Sequence, residues 1–132
     1  MVREAHWGYY AFVLANAEVA ERGHIVCIDT GNNGNIVVGQ SAAGLIPIGI
    51  AMESLTGDGV KTLQVKLFKE IQATWWVNDT VAAVTAAMRG QLCYLKDSET
   101  VSSDNTGRSI AGMVLAVDAS KGVLVHFGYK TW

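Results

Sequence analysis

Charge is scarce in this 132-residue chain: Asp, Glu, Lys and Arg make up 17% of it, against about 25% in an average soluble domain. Its 10 Lys and Arg against 12 Asp and Glu leave a formal net charge of −2. No basic stripe with interleaved aromatics of the kind nucleic-acid binders carry runs along it, so nucleic acid is not an expected partner. Cysteine is confined to Cys27 and Cys93, too few for a disulfide framework. Their neighbours Val26, Ile28, Leu92 and Tyr94 favour buried, reduced thiols. Long apolar runs are missing too. Asn16, Glu18, Glu21 and Arg22 break the most apolar N-terminal stretch before it reaches the ~18 residues of a membrane span, so no membrane partner is expected. "MVREAHWGYY" lacks an apolar h-region and a small-residue cleavage site, so it does not read as a signal peptide and the protein is expected to stay where it is made.

Catalytic and metal-binding patterns are equally absent. His6, His24 and His126 share no ligand spacing with each other or with the cysteines, and no Cys-x-x-Cys pair occurs. No nucleophile-elbow motif is present, and cysteines in apolar strands have raised thiol pKa values that leave them inert. Asp29, Asp58, Asp97, Asp104 and Asp118 stand at turns, where Asp serves by bonding nearby backbone. "GNNGN" (31–35) and "GDG" (57–59) lack the strand-to-helix setting and the Lys-Ser/Thr of phosphate loops and read as hairpin turns. "NDT" at Asn78 reads as a helix cap rather than a glycosylation site. The expectation is a protein without catalytic residues, metal or cofactor.

What the chain does contain is a repetition. Gly23 opens "GHIVCID" and Gly90 opens "GQLCYLKD", and "IPIGIAMESLTGDGV" (46–60) is echoed by "SIAGMVLAVDASKGV" (109–123). Gly49 answers Gly112 and Gly59 answers Gly122, both at an offset of 63, while the opening glycines lie 67 apart. One loop of unequal length accounts for the drift, so the chain reads as two copies of one β-rich unit. The two cysteines stand at matching places in these copies. At this length a single core buries roughly two-thirds of the unfolded surface.

Residues 1–22 precede the repeat and read either as an amphipathic helix capped by Gly23 or as an extended arm that turns strand-like near 11–15. Residues 23–132 form one β-domain. Its expected strands are 25–29, 36–38, 45–53, 61–68, 92–96, 110–118 and 123–129, separated by turns rich in Gly, Asn, Asp and Ser. Leu63, Val65 and Leu67 alternate with Thr62, Gln64 and Lys66, which predicts one wet face. Pro47 cannot donate to a ladder and is expected at a sheet edge or strand start. One short α-helix is predicted at about 79–89, with Asn78 as its cap and Gly90 beyond its end. The fold class is mainly β, a small barrel or sandwich built from two pseudo-repeats.

The aromatics are the candidate functional residues. Trp75 and Trp76 are adjacent, so in an extended segment their rings point to opposite faces and one is left seeking a surface. Trp7, Tyr9 and Tyr10 in the arm, and Trp132 at the far end, are further candidates for partner contact, since Trp and Tyr are enriched at interface hot spots.

Together, "GHIVCID", "IPIGIA", "GDGVKTLQVKLFKEI", "WWVNDTVAAV", "GQLCYLKDSETVS" and "TGRSIAGMVLAVDASKGVLV" resemble the capsid decoration, or cement, proteins of tailed phages and prophages. The likeness is collinear over nearly all of residues 10–125. At Ile110 the chain is apolar where that family leads one to expect a polar or basic residue. The resemblance implies a structural virion protein, made in the host cytoplasm, that binds the major capsid protein on the outside of the expanded head and does so as a homotrimer. The competing readings are a small-ligand or enzymatic domain using a barrel mouth, and a tail or baseplate component.

Overall fold

The computed structural model describes residues 9–68 and 73–127. Twelve strands follow in order: β1 (Tyr9–Val13), β2 (Val19–Ala20), β3 (Ile25–Asp29), β4 (Asn35–Val38), β5 (Leu45–Ala51), β6 (Leu55–Thr56), β7 (Thr62–Leu67), β8 (Thr74–Asn78), β9 (Leu92–Leu95), β10 (Thr100–Ser102), β11 (Ile110–Asp118) and β12 (Gly122–His126). The first five long strands make one sheet in the order β1-β7-β5-β3-β4, and the last five make a closed barrel in the order β10-β8-β12-β11-β9. β2 and β6 pair separately as a short ribbon.

These two bodies are copies of each other, pair by pair. β1 corresponds to β8, β7 to β12, β5 to β11, β3 to β9 and β4 to β10, and the strand order is then identical. Register repeats as well. Ile50 lies opposite Lys66 as Met113 lies opposite His126, and Phe12 lies opposite Leu63 as Trp76 lies opposite Val123. Each copy carries a bulge at the same place, after Cys27↔Pro47 in one and after Tyr94↔Ile110 in the other. Gly49 and Gly112 sit just past these bulges, where a Cβ would collide with the carbonyl of Lys66 and of His126 respectively. Both positions therefore require glycine.

The copies differ in closure. In the second, β10 and β8 form a parallel pair at Thr100↔Val77 and Val101↔Asn78. In the first, the same seam is held by a single parallel bridge, Leu14↔Ile36. Each sheet encloses its own side chains. Leu14, Val26, Ile36, Ala51, Leu63 and Val65 fill the first, and Trp76, Cys93, Leu95, Val101, Val114, Val123, Val125 and Phe127 fill the second. The outer face of the first sheet, with Ile25, Cys27, Val37 and Leu45, joins that second core. Phe68, at the end of β7, stacks on Phe127 with centroids 4.0 Å apart at 11°. Barrel two is thus plugged at one end by the side of sheet one.

Several expectations are corrected. The helix at 79–89 is absent: the segment is irregular, with one 3-10 turn at Ala86–Met88. Asn78 does not cap a helix but bonds both the N–H (2.8 Å) and the C=O (2.9 Å) of Val84, closing a wide loop. Thr80, Val81, Val84 and Thr85 are β-branched and lose rotamer freedom in a helix. Pro47 lies inside β5, a central strand, beside the bulge rather than at an edge. A bulge is another place where a strand tolerates proline. Gly59 and Gly122 both have positive φ, 81° and 97°, yet they are not equivalent: Gly122 pairs with Asp118 in a tight hairpin, whereas the β5–β7 connection is longer and contains β6. The cysteines are one residue out of phase. Cys93 takes the inward place of Val26, and Cys27 the outward place corresponding to Tyr94. Within 1–22, expected as a helix or as an arm turning strand-like near 11–15, the described residues contain β1, which overlaps that stretch, and β2, both paired into the body.

Candidate functional site

β8 decides which tryptophan is free. Its residues alternate, so Trp76 turns inward while Trp75 and Val77 turn outward. Trp76 is 7% exposed and meets Phe127 edge-on at 5.8 Å, which makes it core and removes it from the candidate surface. Trp75 is 38% exposed, Val77 55%, and Val81, on the loop that follows, 87%. The Lys121 ammonium lies over the Trp75 ring at 5.4 Å, an arrangement that holds the indole while leaving it open to a partner. Leu124, opposite Trp75 on β12, extends the apolar face.

Of the arm candidates, Tyr9 packs under the Lys66 ammonium at 5.7 Å. Tyr10 leans on Phe12, ring centroids 4.8 Å apart, and stays 54% exposed. They lie on the first sheet, whereas Trp75 lies on the second barrel, so the candidates form two surfaces. Trp7 and Trp132 fall outside the described residues. A helix predicted at about 79–89 hides Val81 as a surface candidate, while for Val77 the available signal is the period-2 pattern Trp75, Val77.

A polar cluster lies behind this face. Asp79 is 3% exposed. Its carboxylate accepts from Lys96 Nζ at 2.7 Å, the Val81 amide at 2.9 Å and Ser102 Oγ at 2.8 Å. Lys96 first, then the Val81 amide and Ser102, hold that carboxyl well below the usual carboxylate range. Arg108 completes the set, donating from Nη1 to Ser102 Oγ and from Nε to Ser41 Oγ, both at 3.0 Å. The arrangement ties the 79–84 loop to β9 and β10 and fastens both to the linker after β4. It offers no nucleophile: Ser102 spends its proton on Asp79 and receives Arg108 and the Asp104 amide, so its lone pairs are occupied. Burial pushes the Cys27 and Cys93 thiols up to about 12, far from thiolate at neutral pH. Among the described residues no three His, Cys, Asp or Glu side chains group as metal ligands.

One groove lies beside Trp75 and Val77, lined also by Gly23, Ile50 and Thr74, and another runs along the incompletely closed seam of the first sheet, lined by Phe12, Val13, Ile28, Asn35 and Ile36. The seam groove's lining mixes these apolar side chains with the polar Asn16 and Asn35. No helix among the described residues is long and apolar enough to cross a membrane. No family pattern, curated protein or solved structure matches this chain.

Proposed function

We propose that this chain is a structural phage-head protein that binds the outer surface of an expanded capsid through the Trp75, Val77 and Val81 face. The observation that carries the reading is this apolar face itself, displayed on a rigid barrel and rimmed by Lys121. Isolated exposed apolar residues are ordinary, but Trp75 and Val77 share the outward side of β8 with exposed Val81 on the loop that follows, which supports reading the patch as an interaction surface. The sequence resemblance to decoration proteins supplies the partner, the major capsid protein. A cement acts by occupancy, so the described residues' lack of an activated nucleophile suits it, and many copies on one head gain strength by avidity.

Co-sedimentation with expanded heads assembled from the major capsid protein of the same genome tests this. Wild-type protein should pellet with heads, and Trp75→Glu, folded by circular dichroism, should lose at least tenfold in affinity. Undiminished binding of that variant overturns the assigned face. A second reading, small-ligand binding, is favoured by the seam groove between β1 and β4; a thermal shift with apolar small molecules, abolished by Phe12→Asp, would support it instead.

A further inference from the structure

The two copies contact each other in only one of two equivalent ways. The outer face of β3 and β5 in the first copy is covered by the end of the second barrel: Ile25 and Cys27 are fully buried, Pro47 is buried, and Ile50 packs against the shared core. Register assigns their counterparts without ambiguity. Cys27↔Pro47 corresponds to Tyr94↔Ile110, and Ile25↔Ile50 corresponds to Leu92↔Met113. In the second copy this face is less fully covered. Leu92, Tyr94, Ile110 and Met113 are all partly exposed, four large apolar side chains on adjacent strands.

The receiving end is duplicated too. In the second copy it is built around Thr74, Trp76 and Phe127, and Ile50 and Gly23 of the first copy line a common groove with Thr74 and Trp76. The corresponding residues of the first sheet are Tyr10, Phe12 and Leu67. Tyr10 stands exposed there, leaning on Phe12. A contact that used the same face on both copies would bury both faces. This one buries a face of one copy against an end of the other, which leaves one unused face and one unused end on every molecule.

We propose that a second copy of this chain occupies the Leu92, Tyr94, Ile110 and Met113 face, seating its own Tyr10 and Phe12 end there, so that the intramolecular packing is repeated head to tail between molecules. The occupant is argued by continuity: the complementary partner of this face already exists within the fold. Met113 of one molecule meets the Tyr10 end of the next, as Ile50 meets the Thr74 end within the chain. The inference rests on the duplication and stands apart from head binding.

Sedimentation equilibrium should show the wild type as an oligomer. Tyr10→Glu and Met113→Glu, each folded by circular dichroism, should each fall to monomer mass. Disulfide trapping fixes the polarity: Tyr10→Cys mixed with Met113→Cys under mild oxidation should give chiefly the mixed dimer, Cys27 and Cys93 being buried and out of reach. A monomeric wild type, variants that keep the wild-type mass, or trapping that favours Tyr10→Cys or Met113→Cys homodimers overturns the proposal. A monomer would leave head binding to be decided by the pelleting assay.

Discussion

Asp79 shows how a single residue takes a role its neighbours in sequence do not announce. An Asp after Asn in "NDT" is ordinary at a helix start, but here the carboxylate is buried and held by Lys96, the Val81 amide and Ser102. Only the fold brings Lys96 and Ser102 to it, which is why the sequence did not disclose the cluster. Its folded pKa is depressed, so its contribution to stability is present above the unfolded value and is lost as pH falls through the folded one. Asp79→Asn should lower the melting temperature at neutral pH, and the gap from wild type should narrow as pH falls from about 5 towards about 2. A gap that stayed constant across that titration would show that the charge does not contribute. The cysteines were legible as buried thiols from their apolar neighbours, although their phase was not, because one residue's shift on a strand exchanges inside for outside. Both are 0% exposed. Replacing either with Ala should cost about 1–3 kcal/mol in urea unfolding, and neither native thiol should react with a maleimide on the time scale of an exposed cysteine.

At the scale of elements, most strands lay where alternation and turn residues placed them; Ile110–Asp118 is a strand from end to end. What failed was the segment after β8. Asn78, Asp79, the alanines and a closing glycine satisfy every local rule for a short helix, but the loop has stronger nonlocal partners. Val84, 1% exposed, is drawn into the barrel core, and Asn78 clamps its backbone from both sides. Burial of one valine and a doubly bonded amide outweigh a helix too short to stand on propensity. Asn78→Ala should therefore destabilise by about 1–3 kcal/mol, since both Val84 backbone groups lose their partner. Urea unfolding monitored by circular dichroism measures it; a change within error would mean that water replaces the amide at no cost. β8 and β10 were missed for a related reason. Each is short, and each is a strand because of its neighbours: β8 pairs with β12, β10 with β9, and the two with each other in parallel, and the β8 pairings join segments more than twenty residues apart that local pattern cannot display.

The whole molecule is a duplication in which one copy completes the other. The repeated glycines Gly49 and Gly112 made the duplication visible in the sequence, because each is fixed by a carbonyl approaching where a Cβ would stand. The asymmetry between the copies was not visible, since it resides in which faces are covered. Sheet one places Ile25, Cys27 and Phe68 in the core of barrel two, so barrel two has no complete interior without sheet one. The two should unfold together. With Trp7, Trp75 and Trp132 changed to Phe, the remaining Trp76 reports barrel two, while circular dichroism reports both sheets. The two urea transitions should coincide. Phe68→Ala should shift both by the same amount, about 3–5 kcal/mol of destabilisation for a buried stacked ring. If Trp76 fluorescence moved to lower urea while much of the dichroism persisted, the copies would be independent units, and Phe68 a contact between neighbours rather than part of one core.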